Sequence, residues 1–70
     1  MIQLDLRDLE PPEPMVRILA ALESMKSGES LRALLPRRPV YLLPILEEAG
    51  HRFEVVEESD ERWLLTIAKA

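Results

Sequence analysis

Seventy residues with 47% hydrophobic and 31% charged side chains predict one folded domain, 1–70, and exclude a disordered chain. The absence of cysteine excludes disulfides and thiol chemistry. A formal net charge of −4 argues against electrostatic binding of nucleic acid or of an anionic membrane surface.

Two strands flank a helix in the first half of the chain. Apolar and polar residues alternate over Ile2–Leu6 and again over Leu31–Leu35, which is the period of a strand with one buried face. The stretch Arg7–Pro14 is a loop rich in charge and proline. Apolar residues then recur every three or four positions, which predicts a helix from about Pro12 to Met25 with Gly28 as its stop.

The second half predicts one helix and a hairpin. After a turn over residues 36–39, a helix is expected from Val40 to Ala49, with Gly50 ending it and Pro44 restricted to its first turn. Its apolar stripe consists of Leu42, Ile45, Leu46 and Ala49. Two alternating segments begin at Phe53 and Trp63, and the polar turn 57–61 between them predicts an antiparallel pair.

The order β-α-β-α-β-β indicates an α/β (α+β) two-layer sandwich. Strand-helix-strand crossovers are right-handed, so both helices should cover one face of a four-stranded mixed sheet. The open face would carry the apolar residues Leu34, Val56 and Leu64 among polar ones. The expected core consists of Ile2, Leu4, Leu6, Ile18, Leu19, Leu22, Leu31, Leu35, Leu46, Phe53, Leu65 and Ile67.

The stretch LDLRDLEPPEP, residues 4–14, resembles the opening of the TusA/SirA-like sulfur-carrier superfamily, whose pattern is L-D-x-x-G-x-x-C-P-x-P. Leu4, Asp5, Pro12 and Pro14 match it without a gap. The resemblance implies the sheet order 1-2-4-3 with the last strand antiparallel to the others. It extends over essentially the whole chain, because the element order agrees as well.

Two positions depart from that pattern. Its cysteine, which carries sulfur as a persulfide, is replaced here by Pro11, so the chain is expected to be unable to carry sulfur. Its glycine is replaced by Asp8, which can adopt a left-handed turn at some cost. The chain is most similar to the cysteine-less branch of the superfamily, domain of unknown function 2249, and the resemblance implies a fold without an activity.

No catalytic, metal or cofactor site is predicted. His51 is the only histidine and is interpreted as a polar loop residue. The adjacent carboxylates at residues 47–48, 57–58 and 60–61 are expected to be solvated, and Tyr41 and Trp63 are expected to be core residues. An enzyme is therefore the least favoured reading.

The remaining candidates are binding surfaces. Arg37 and Arg38 precede the second helix, whose free amides could help them hold a carboxylate or phosphate; the alternative is a solubilising turn paired with nearby acids. The full candidate surface consists of Arg7, Pro11, Pro12, Glu13, Pro14, Arg37 and Arg38.

The first function hypothesis is a non-catalytic interaction module with a protein partner, which would bind through the helix start at Pro11–Pro14 or through the open sheet face. The second is a small-anion binding domain centred on Arg37 and Arg38. Weak homodimerisation through the open face is a further expectation. The topology also resembles the C-terminal domain of translation initiation factor three, but the acidic charge argues against RNA binding. Met1 leads into Ile2 with no basic region and no long apolar segment, so we expect a cytoplasmic protein.

Overall fold

A mixed sheet of four strands, with two helices on one face, accounts for all regular structure in the computed structural model, which describes residues 1–70. The elements are β1 Ile2–Asp5, α1 Glu13–Ser24, β2 Ser30–Leu35, α2 Leu42–Glu48, β3 Arg52–Ser59 and β4 Arg62–Ala68. The strand order is β1-β2-β4-β3, and both the predicted fold class and this order are confirmed. Neither helix combines the length and the apolar run that a membrane crossing needs.

Strand direction explains why both helices share a face. β1 and β2 pair in parallel, while β4 is antiparallel to both of its neighbours, β2 and β3. The connections through α1 and α2 therefore join strands that run in the same direction, and the right-handed crossover rule places both helices above one side of the sheet.

The core lies between that side of the sheet and the helices. Its buried residues are Leu6, Ile18, Leu22, Met25, Leu31, Ala33, Leu35, Leu42, Leu46, Leu65 and Ile67. Four residues expected there, Ile2, Leu4, Leu19 and Phe53, are only half-buried and pack against the core from outside. For three of them the reason is position, because β1 and β3 are the edge strands of the sheet and have a neighbour on one side only.

Helix α2 is shorter than predicted. It begins at Leu42 rather than Val40, which places Pro44 at its third residue, inside the first turn where a missing N–H is tolerated. With so few turns, only Leu42 and Leu46 face the sheet. The expected stripe residue Ile45 is 42% exposed, and Ala49 lies beyond the helix and is exposed.

Two turns also differ from the predictions. β3 continues to Ser59, so the hairpin turn is reduced to Asp60 and Glu61, and Glu61 adopts a φ of 59°. A register shift between Glu57 and Ser59 lets the strand extend through the polar segment. Asp8 has no positive φ, so the loop after β1 does not need the left-handed residue that the superfamily glycine suggested.

The open face of the sheet is mixed, as predicted. Leu34 and Leu64 are half-buried and Val56 is 41% exposed. The strand register places these three side by side on β2, β4 and β3. They form a short apolar row across an otherwise polar face.

Candidate functional site

The largest concentration of prolines surrounds a cleft at one edge of the sheet. Because β1 and β2 are parallel, the loops that follow them leave the same edge and lie beside each other. Together with the first residues of α1 and α2, these loops enclose about 270 Å³. We call this space the proline cleft, because five of the six prolines of the chain line it.

The two walls of the proline cleft come from separate parts of the chain. The first wall consists of Leu9, Pro11, Pro12, Pro14, Met15 and Ile18, and the second of Leu35, Pro36, Arg37, Arg38, Pro39, Val40, Tyr41 and Leu42. Five of the seven candidate surface residues therefore line one space. In the sequence, residues 37–38 lie 23 or more positions after residues 11–14.

The start of α1 is rich in proline and poor in hydrogen-bond donors. Pro11 and Pro12, joined by a cis peptide bond, precede the helix and are exposed, as expected of Pro11. Glu13 N–H donates to the Glu10 carbonyl, and Val16 N–H to the Pro12 carbonyl. Because proline has no N–H, the amide of Met15 is the only free backbone donor at this helix start.

The start of α2 does not provide the free amides that the anion hypothesis assumed. Leu42 and Leu43 N–H both donate to the Pro39 carbonyl, and Val40 N–H donates to the Arg38 carbonyl. The Tyr41 amide has no backbone acceptor, and neither have the amides of Arg37 and Arg38 in the loop before it. An anion at this position would therefore meet the arginine side chains and these three amides.

Arg37 and Arg38 carry the only charges on the walls of the proline cleft. Both are exposed, and neither has a carboxylate within 4.0 Å, so the alternative of a turn paired with nearby acids does not describe them. The Arg38 guanidinium lies 6.0 Å from the centroid of the Trp63 ring, at the outer limit of a cation–π contact. Trp63 itself is half-buried and packs against the core, as predicted.

The other two candidate residues lie outside the cleft and are paired. The Arg7 guanidinium donates from Nε to Asp5 Oδ1 at 2.8 Å and from Nη2 to Oδ2 at 2.7 Å. These hydrogen bonds lower the pKa of Asp5 to about 2. Glu13 faces Arg17 one helical turn later, with 3.5 Å between Oε2 and Nε. Neither residue contributes a free charge to the proline cleft.

The walls of the proline cleft lack the side chains of the common nucleophile–base pairs. They contain no carboxylate, imidazole, thiol or aliphatic hydroxyl, so no nucleophile can be paired with a base there. His51 lies elsewhere, at the start of β3, where its Nδ1 accepts the Ala70 N–H at 3.0 Å. The chain has no group of three histidine, cysteine or acidic residues that could hold a metal ion.

Tyr41 was assigned wrongly from the sequence. It was expected in the core, but it is 83% exposed at the rim of the proline cleft, beside Val40, which is 51% exposed. Because α2 begins at Leu42, both residues belong to the loop and not to the apolar stripe. The position of Pro44 was the available signal, since it restricts how early the helix can begin.

Comparison with known proteins agrees with the fold. A crystal structure of the SirA-like protein from Desulfitobacterium hafniense superposes with a TM-score of 0.83 and 25% sequence identity, covering 97% of this chain and 96% of that one. No curated protein matches the sequence. The family model described as uncharacterized conserved protein (DUF2249) matches residues 3–69. The chain therefore belongs to the DUF2249 family and has a SirA-like fold.

Proposed function

We propose that this protein is a non-catalytic binding module that holds a segment of a partner protein in the proline cleft. The observation that carries the proposal is the assembly of both candidate segments, residues 11–14 and residues 37–38, into one apolar space with two free charges. Such spaces, apolar with a few polar groups that orient the ligand, are the usual form of binding sites.

The likeness to sulfur carriers supports binding and not transfer. In the carrier pattern the persulfide cysteine stands at the position of Pro11, next to the proline cleft in this fold. A proline side chain cannot form a persulfide, and the chain contains no cysteine. The end of the fold that carries Pro11 therefore serves binding and not sulfur transfer.

The rim of the cleft and the open sheet face offer a matched pair of variants for the test. Val40 and Val56 are similarly exposed, at 51% and 41%, on different surfaces. The immobilised wild-type chain, Val40→Gln and Val56→Gln are exposed to a lysate of the source cells, and the retained proteins are compared by mass spectrometry.

The expected result is a specific protein retained by the wild type and by Val56→Gln and lost with Val40→Gln. Retention by Val40→Gln with loss in Val56→Gln would move the interface to the open sheet face. No specific retention by the wild type would reject the proposal, provided that all three chains have the same circular dichroism spectrum.

Small-anion binding is the second candidate function. It is supported by the two guanidiniums that face no carboxylate. It ranks lower because the walls of the proline cleft are mostly apolar, which suits a small, strongly hydrated anion less well than an apolar segment. A rise in melting temperature with phosphate or citrate, lost when Arg37 and Arg38 are both changed to glutamine, would favour it.

A further inference from the structure

We infer that the segment recognised by the proline cleft is an acidic-apolar peptide: one or two apolar side chains fill the space and an adjacent carboxylate meets Arg37 and Arg38. This inference rests on the proposed function and names the chemistry of the partner. It is carried by the apolar walls of the cleft and by two guanidiniums on those walls that face no carboxylate of this chain within 4.0 Å.

The volume and the walls specify apolar side chains. The space of about 270 Å³ lies near the lower limit of the range of about 300–1,000 Å³ typical of ligand pockets, and it is large enough for one or two side chains. Proline rings form much of both walls, and they lose little conformational entropy when a ligand covers them. Val40 and Tyr41 extend the apolar surface at the rim, where both are exposed before binding.

Two arginines of the cleft without a carboxylate partner indicate that the ligand is negatively charged. Arg7, Arg17 and Arg62 each face a carboxylate of this chain, with ion-pair distances of 2.7, 3.5 and 2.8 Å. The other four arginines, Arg32, Arg37, Arg38 and Arg52, face none within 4.0 Å, and of these only Arg37 and Arg38 line the proline cleft. Two uncompensated guanidiniums beside an apolar space complement a carboxylate, which they can bind through two parallel hydrogen bonds.

The same features disfavour a polyanion. A nucleic acid would bring many phosphates against a chain of net charge −4, and repulsion would oppose its binding. A single carboxylate within an apolar peptide meets only the local positive charge. The apolar contacts and the guanidiniums supply most of the affinity, and the free amides of Met15, Arg37, Arg38 and Tyr41 are further donors around the cleft.

The test begins without assuming the ligand. Phage-displayed random dodecapeptides are selected on the immobilised chain, and the enriched peptides are synthesised with acetylated and amidated ends, so that no terminal carboxylate contributes. Each is compared with a variant peptide in which Asp or Glu is replaced by Asn or Gln. Dissociation constants are measured by fluorescence polarisation for the wild type, for Val40→Gln at the rim of the cleft, and for the double variant Arg37→Gln/Arg38→Gln. The control is Arg32→Gln, which removes an exposed, unpaired charge from the open face.

We expect the enriched peptides to combine apolar residues with Asp or Glu and to bind the wild type and Arg32→Gln alike. Loss of a charge-assisted contact should weaken binding about tenfold or more, both in the double variant and in the amide peptides. Binding should also weaken as salt rises, since the guanidiniums are exposed.

Equal affinity for acidic and amide peptides, combined with loss of binding in Val40→Gln, would overturn this inference and leave the proposed function standing. If no peptide binds, or if binding is unaffected by Val40→Gln, both this inference and the proposal that the proline cleft is the binding site are rejected. Each variant is first shown by its melting temperature to be folded, which these exposed positions permit.

Discussion

Ile67 offers the sharpest test of how this small fold is held together. It lies on the central strand β4, between Leu31 of β2 and Phe53 of β3, and it is fully buried. A domain of this length is stable by roughly 4–10 kcal/mol, so one core residue accounts for a large share. Replacing Ile67 with valine removes one methylene group and leaves a small cavity.

Ile67→Val should lower the free energy of unfolding by about 0.5–1.5 kcal/mol, and Ile67→Ala by about 2–5 kcal/mol. The larger loss would bring the least stable domains of this length close to unfolding. Urea denaturation followed by the fluorescence of Trp63, the only tryptophan, measures both. With a slope near 1 kcal/mol/M, Ile67→Val should lower the urea midpoint by about 0.5–1.5 M. Val56→Ala, on the open face of β3, is the control, and its change should stay near or below about 0.5 kcal/mol. Equal losses at positions 67 and 56 would refute the assignment of the core to the helix-covered face.

Three further predictions concern residues on the surface of the domain. Carboxyl NMR should find the pKa of Asp5 near 2, and Arg7→Gln should return it toward its ordinary value. The pKa of Asp5 is lower in the folded state than in the unfolded state, so the pair stabilises the fold at pH values above the ordinary pKa of the carboxyl, and this contribution is lost as pH falls toward 2. An unchanged Asp5 pKa in the variant would contradict the pairing. Pro11→Cys should fold and react with a soluble disulfide reagent about as fast as a free thiol, since this position is exposed. A slow reaction would show that residue 11 is buried and that its placement at the rim of the cleft is wrong. Weak self-association through the apolar row at Leu34, Leu64 and Val56 should appear in sedimentation at high concentration and disappear in Val56→Gln, whereas a strict monomer would reject it.

Local patterns in the sequence were sufficient for the type and order of the elements. The alternation in Ile2–Leu6 and Leu31–Leu35 predicted strands, and the spacing around Ile18 and Leu22 predicted α1, because these periods follow directly from backbone geometry. The stretch from Leu4 to Pro14 indicated the fold through its resemblance to the carriers, which included a strand order that periodicity cannot supply.

Element ends were less accurate where several interactions compete. α2 begins two residues later than expected, and β3 continues through a polar segment because pairing with β4 outweighs its composition. Lys69 is an example of a contact between distant segments: its amine donates to the carbonyls of Leu22 and Met25 at the end of α1, far away in sequence.

The proline cleft exists only in the tertiary structure. Residues 11–14 and 37–38 were each singled out from the sequence, but no local pattern placed them together. They meet because β1 and β2 are parallel neighbours, so their following loops leave the same edge of the sheet. The distribution of charge was decided in the same way: Arg7 is paired with Asp5, whereas Arg37 and Arg38 have no carboxylate within 4.0 Å. Ion pairing depends on distances that the order of residues does not contain.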